Sequence, residues 1–265
     1  MINWILLFLF FSLVYLGACS FFYFYQESFL FHPRSTAQDF VYDFNYPYEE
    51  KWYVTSNNGS IHTLNFSAKD SKGLVFYLHG NAGSLRDWGW VYTDFISRGY
   101  DLLVLDYRTY GKSKGELSEQ NMVSDACFIF DQVSETYPKE NIVIYGRSIG
   151  TGVALQLAAQ RRAKALILES PFYSIADIAS KIAPIFPVKL LLRFKFESYS
   201  YINQVNYPTY IIHGVEDKIV AFSSGNKLAR EAKNETYLIP VQEAQHDNLS
   251  DYLEFSELLN KVLVK

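Results

Sequence analysis

Cysteine is nearly absent from the 265-residue chain, with Cys19 and Cys127 the only two. A pair so placed builds neither a disulfide scaffold nor a cysteine-ligated zinc site, and it leaves the redox compartment unmarked. Charge is also sparse: 20% of residues, Lys+Arg 24 against Asp+Glu 28, a formal net charge of −4. No run gathers the cations that phosphate neutralisation needs, which argues against nucleic acid as a partner. The 49% hydrophobic content excludes an intrinsically disordered chain and a solvating acidic tail. There is no internal repeat and no low-complexity linker, and the length suits one α/β domain with a short appendage.

Aromatic residues are what the chain has in excess, at 17%, and 8 of the 21 Phe fall within the first 31 positions. That stretch holds no Lys or Arg, and its first acid is Glu27. The 24 residues from Ile2 to Tyr25 are almost wholly apolar. As a helix they would be roughly 36 Å long, enough to cross a hydrocarbon core of ~30 Å. Residues 1–26 are therefore expected to be a single-pass bilayer anchor and 27–265 one folded domain. A cleaved signal peptide would carry a shorter apolar core behind a cationic segment that is missing here. Leu16-Gly17-Ala18-Cys19-Ser20 resembles a bacterial lipoprotein box, so lipidation of Cys19 is the alternative anchor. With Arg34 the only nearby cation, the side of the membrane is not readable.

Beyond the anchor, Tyr48–Thr55 and Ile61–Ser67 alternate apolar and polar residues around Asn57-Asn58-Gly59, a hairpin signal with glycine expected at a positive φ. Short apolar runs follow at Leu74–Leu78, Leu102–Leu105, Ile142–Tyr145, Ala165–Leu168 and Tyr210–Ile212, with a last strand at Glu235–Ile239. Strands this apolar are buried on both faces, as in a parallel sheet. Helical spacing at Trp88–Ser97, Glu119–Glu135, Ile149–Arg161, Ser223–Ala232 and Ser250–Val264 alternates with them. The pattern predicts an α/β fold with a mostly parallel sheet covered on both faces and functional groups at the carboxyl ends of its strands.

The chemistry centres on Gly146-Arg147-Ser148-Ile149-Gly150, which lies between a strand and a helix. A serine on so sharp a turn projects its Oγ above the sheet, and Gly146 and Gly150 leave the room the turn needs. The following helix aims its first N–H groups at developing negative charge. A nucleophilic serine needs a base and the base an orienting acid, which in this arrangement follow in the order acid, then histidine. Of five histidines only His213 and His246 lie after Ser148. His213 ends an apolar strand and reads as structural, so His246, in the loop before the last helix, is the base. Asp217 is the acid, with neighbouring Glu216 as the alternative. Asp247 and Asp251 read as solvated turn residues. The oxyanion hole should combine the N–H of Ile149 with that of Asn81, or of Ala82 beside it, in the loop His79–Gly83. His79 would hold that loop. No metal or organic cofactor is implied.

These blocks resemble the α/β-hydrolase superfamily, in particular its membrane-anchored branch, which includes enzymes that remove acyl groups from S-palmitoylated proteins. The resemblance runs from about Glu27 to the C-terminus. It rests on Gln26–Pro33, Tyr77–Ser84, the D-Y-R-G-Y-G-x-S-like Asp106–Ser113, the elbow Tyr145–Gly150, Leu168–Phe172 and His213–Val220. It implies an α/β-hydrolase fold with Ser148, Asp217 and His246 as triad. Three departures stand out: Thr109 where the pattern has glycine, Ala221 where it has proline, and no glycine just before His246.

Residues about 172–205 are rich in Ile, Leu, Phe and Lys and broken by Pro184 and Pro187. They read either as a crossover helix or as a short lid whose apolar face lines an acyl pocket and whose cations meet membrane phosphates. The reading as a whole is a membrane-anchored serine hydrolase of carboxylic ester or thioester bonds, acting on a lipid or lipidated protein. A peptidase or acyltransferase on the same triad, or a non-catalytic membrane scaffold, are the alternatives. Serine at the elbow, rather than aspartate, disfavours epoxide hydrolase and dehalogenase chemistry.

Overall fold

The computed structural model describes residues 3–264; Met1 and Ile2, with which the expected anchor begins, and Lys265 lie outside them. The chain opens with α1 (Trp4–Leu30), then β1 (His32–Pro33), the hairpin β2 (Tyr48–Thr55) and β3 (Gly59–Phe66), β4 (Leu74–Leu78) and β5 (Ala82–Gly83). Next come α2 (Leu85–Trp88), α3 (Tyr92–Ile96), β6 (Asp101–Leu105), α4 (Glu119–Val133), β7 (Ile142–Arg147), α5 (Ile149–Gln160) and β8 (Ala165–Glu169). The remainder is α6 (Ile175–Ile182), α7 (Val188–Leu191), α8 (Ser198–Tyr201), β9 (Thr209–Gly214), α9 (Phe222–Glu231), β10 (Thr236–Val241) and α10 (Leu253–Leu263).

Eight strands form one sheet in the order β10-β9-β8-β7-β4-β6-β3-β2. The six from β10 to β6 run parallel, and the β2–β3 hairpin joins antiparallel at the β6 edge. Every residue of β4, β6, β8 and β9 is buried, which is why these strands read as unbroken apolar runs. One core layer packs α4 and α5 on the sheet through Met122, Ile129, Phe130, Val153 and Leu157. The other places α3 and α10 on the opposite face through Phe95, Phe255, Leu258 and Leu259. This is the doubly covered α/β architecture that the alternation of runs predicts.

Two local expectations need correction. The left-handed positions of the hairpin turn are Asn57 (φ 54°) and Asn58 (φ 56°), not Gly59. Asparagine tolerates this region because its short amide bonds the local backbone. Gly59 is required for space instead, since a Cβ there would run into Thr55 Oγ1 and the Arg108 guanidinium. The stretch Trp88–Ser97 is not one helix but α2, a 3-10 turn at Gly89–Val91 and α3. A Cβ at Gly89 would collide with the Phe44 ring, so the chain is drawn tight at that turn.

Thr109 adopts φ 72°, a conformation costly for a β-branched residue, and its buried Oγ1 has no partner among the described residues. Thr109→Gly is expected to stabilise the domain by about 1 kcal/mol after the added freedom of the unfolded chain is subtracted. Thermal unfolding should show a rise of ~2–4 °C. An unchanged or lower midpoint would mean that the threonine conformation carries no strain.

The helix α1 is 27 residues long with a mean hydropathy of 2.4 in its most apolar window, and it is the one helix among the described residues long and apolar enough to cross a membrane. It extends past the expected boundary at residue 26 to Leu30. Its far end is tied into the domain. Asn81 Nδ2 donates to Leu30 O at 3.2 Å, and His32–Pro33 pairs with Ala82–Gly83 in a two-stranded ribbon.

Candidate active site

At the end of β7 the chain turns through Ser148 with φ 52° and ψ −120°, strained for a residue bearing a Cβ. Its N–H donates to Glu169 O at 2.9 Å, fastening the turn to β8. Space explains the flanking glycines: a Cβ on Gly146 would lie 2.7 Å from Ala154 Cβ, and one on Gly150 would press into the carbonyls of Leu78 and His79. The helix α5 can therefore start directly over the end of β4.

The loops after β9 and β10 bring two more groups to this point. His246 Nε2 lies 3.0 Å from Ser148 Oγ, and its Nδ1 lies 2.7 Å from Asp217 Oδ2. Asp217 Oδ1 accepts from the N–H groups of Ile219 (2.9 Å) and Val220 (2.8 Å). His213 Nε2, 2.8 Å from Val220 O, is also 3.3 Å from Asp217 Oδ2. Burial by itself would raise the Asp217 pKa. The hydrogen bonds from His213 and His246, the charge on His246 and the Val220 N–H outweigh it and hold the carboxyl well below its ordinary range. Of the two neighbouring acids, Asp217 is buried against His246 and Glu216 is exposed. The glycine missing before His246 leaves no strain at Gln245, because the left-handed residue of this loop is Glu243, at φ 60°.

Asn81 and Ile149 border the same cavity as Ser148, and neither of their backbone N–H groups donates to an acceptor among the described residues. The Asn81 carbonyl is held by the Tyr110 hydroxyl (2.6 Å) and the His32 N–H (2.9 Å), so its peptide is fixed from behind. Ala82, the other candidate, is drawn into the ribbon with His32. His79 is fully buried, with Nδ1 2.7 Å from Gly80 O and its ring stacked on Trp88, which holds the loop from below.

Sequence reasoning passed over Arg147, the spacer residue of the elbow. Its guanidinium pairs with buried Glu169 at 3.2 Å, reaches His246 O (3.4 Å) and Asp247 Oδ1 (3.3 Å), and lies over the Trp88 ring. It thus links the turn that carries Ser148 to the loop that carries His246. Gln26 was also missed. It is a buried amide in an apolar helix, and besides Tyr23 O in its own helix (2.9 Å) its partners are backbone groups of residues 191–194.

Over Ser148 opens a cavity of about 440 Å³, within the ~300–1,000 Å³ typical of small-ligand sites. Its walls include Phe172, Ile175, Ile178, Leu191 and Val220, and no charged side chain lines it among the described residues.

The comparisons with known proteins agree with this architecture. Residues 69–199 match the family model described as serine aminopeptidase. Alpha/beta hydrolase domain-containing protein 17B of Xenopus tropicalis is 30% identical over 201 residues, covering 74% of this chain and 68% of that protein. The chain belongs to the α/β-hydrolase superfamily. A lysophosphatidylserine lipase of Danio rerio is 32% identical over 186 residues, 61% of this chain; the match spans about half of that relative, 48%. An esterase of Pyrococcus furiosus superposes with a TM-score of 0.71 over 88% of this chain and 98% of its own, at 20% identity, which speaks for the shared fold.

Proposed function

We propose that this α/β-hydrolase is a membrane-anchored serine hydrolase that cleaves carboxylic ester or thioester bonds of acyl substrates, a lipid or a lipidated protein. Residues 1–26 serve as the anchor and 27–265 as the catalytic domain. One observation carries the reading: a hydrogen-bonded relay Asp217–His246–Ser148 that opens onto an uncharged cavity. His246 takes the Ser148 proton as Oγ attacks the acyl carbonyl, and the N–H groups of Ile149 and Asn81 receive the oxyanion. Asp217 stabilises the imidazolium, which then protonates the departing alcohol or thiol. A water molecule, deprotonated by His246, attacks the acyl–enzyme and releases the carboxylic acid and free Ser148.

The cavity favours acyl substrates over peptides. An aminopeptidase must hold a substrate ammonium, for which a carboxylate is the natural partner, whereas this lining is apolar among the described residues. The lysophosphatidylserine lipase activity for which the Danio rerio relative is named is of the same class.

Membranes carrying the protein should label with a fluorophosphonate probe, and labelling should vanish in Ser148→Ala. An unlabelled but folded wild type would sink the hydrolase reading and favour a scaffold that keeps the fold without the chemistry.

A further inference from the structure

The helix α1 does more in this structure than hold the domain at a surface. Its last three turns supply Phe22, Gln26, Phe29 and Leu30 to the wall of the cavity over Ser148. The opposite wall comes from α6, α7 and the turn between them, through Ile178, Ile182 and Phe186.

The two walls are fastened to each other. Gln26 Nε2 donates to Leu191 O at 3.0 Å, and Gln26 Oε1 accepts from the Arg193 N–H at 2.7 Å. Tyr15 donates its hydroxyl to Ile185 O at 2.8 Å and stacks on Phe186. The same helix end is bonded to the other side of the site, since Leu30 O accepts from Asn81 Nδ2 and Asn81 O accepts from the His32 N–H. A lone amide in an apolar helix is costly unless it finds polar partners, and here they are Tyr23 O of its own helix and the lid backbone.

Depth follows from the helix rise. Tyr15 stands 12 residues before Glu27, the first charged residue of the chain, so it lies about 18 Å along the axis from that charge. A turn that meets α1 at Tyr15 is therefore carried into the apolar part of the span. Its exposed apolar residues suit that depth: Ile182, Ile185 and Leu190 are 79%, 72% and 82% exposed, where water would penalise them, while the exposed Lys181 and Lys189 beside them have stems long enough to carry their ammonium groups toward the polar interface.

We propose that the C-terminal turns of α1 and the α6–α7 lid together form an acyl-chain site that opens sideways into the bilayer, taking one acyl chain of a membrane-dissolved ester or thioester directly from the lipid phase. The proposal rests on the serine hydrolase reading and names the substrate phase and the second wall. The acyl chain leaves lipid for an apolar channel and never crosses water, while its carbonyl comes to rest at Ser148. Gln26 is a positioning residue that keeps the two walls in register.

The test uses the full chain in phosphatidylcholine vesicles. A fluorophosphonate on a long alkyl chain ending in a diazirine is attached to Ser148 and photolysed. Crosslinks should appear in α1 between Phe22 and Leu30 as well as in α6 or α7. Crosslinks confined to residues 175–192 would overturn the proposal. In parallel, kcat/KM is measured for p-nitrophenyl palmitate and p-nitrophenyl acetate in wild type and Gln26→Leu. The palmitate-to-acetate ratio should drop about tenfold or more, the scale of losing one or two methylenes of apolar contact. An unchanged ratio would count against the α1 wall, and the wild-type crosslink decides the matter even if this variant does not fold. Wild type that fails to react with the fluorophosphonate would instead bring down the hydrolase reading itself.

Discussion

Alanine at Ser148 or at His246 is expected to lower kcat for acyl-ester hydrolysis by about a millionfold, and alanine at both by no more than either alone. In the proposed mechanism the three side chains act as one device. Without Oγ there is no acyl–enzyme, and without the imidazole the hydroxyl keeps its proton and the departing group leaves unprotonated. Asp217→Asn is expected to cost ~10⁴-fold, because the amide can donate toward Nδ1 and so favours the wrong tautomer, while the ring stays near its place. The residual rate above water would report the Ile149 and Asn81 N–H groups and the cavity. The same carboxyl also links catalysis to acid stability. Its folded pKa lies below the ordinary value, so its stabilising contribution is complete above the unfolded pKa and is lost as pH falls through the folded one. Asp217→Asn should therefore unfold with a flatter acid dependence than wild type below about pH 4. Purified proteins compared by active-site titration, initial rates and acid denaturation would check all three statements. A Ser148→Ala protein that retained a hundredth of wild-type turnover would move the nucleophile elsewhere.

The parts of this molecule that were readable in advance are those whose cause is local. Leu74–Leu78 and Ile142–Tyr145 are apolar because both faces of the sheet are covered, and a two-faced strand writes its burial directly into consecutive residues. The elbow was legible from the strand and helix that flank it and from Gly146, whose close neighbours Gly150, Thr151 and Ala154 lie in the same turn and helix, whereas Gly150 answers to the carbonyls of Leu78 and His79 on a distant strand end. Where the cause is distant, the residues are silent. Glu216 and Asp217 differ by one position, and only the packed loop shows which of them turns inward. Gln26 looks like a blemish in an apolar helix until the backbone it binds, more than 160 residues later, is in place. Glu119 is similar: at the start of α4 it reads as an ordinary first-turn acid, yet its carboxylate accepts from the N–H groups of Lys195 and Phe196 and pins the chain that leads from α7 to α8. Backbone partners have no sequence signature, so such clamps are seen only in the fold. The hairpin erred for another reason. The glycine rule assigns Gly59 to conformation, whereas here two asparagines carry the conformation and the glycine makes way for a guanidinium.

That guanidinium is the site of the second large effect, this one on stability. Arg108 is fully buried and pairs with Asp125 through two bonds, Nε to Oδ2 at 2.8 Å and Nη2 to Oδ1 at 2.9 Å. It also reaches the hairpin, with Nη2 to Ser56 O at 2.7 Å and to Thr55 Oγ1 at 3.3 Å, and Nη1 to Asn57 O at 3.2 Å. One side chain thus satisfies α4 and the turn between β2 and β3 together. Arg108→Met keeps the apolar stem but leaves Asp125 buried without its cation, Asn57 O without its guanidinium donor and Ser56 O with only the Gly59 N–H. The expected loss is about 3–5 kcal/mol, a large share of the ~5–15 kcal/mol that holds a typical domain together. The double variant Arg108→Met/Asp125→Leu should recover much of it, because the larger part of the single-variant cost is the stranded carboxylate and not the missing attraction. Urea unfolding of the three proteins would separate these contributions. Should the double variant be as unstable as the single one, the ties to Ser56 and Asn57 would be what matters, and the ion pair would be secondary to the anchoring of the hairpin.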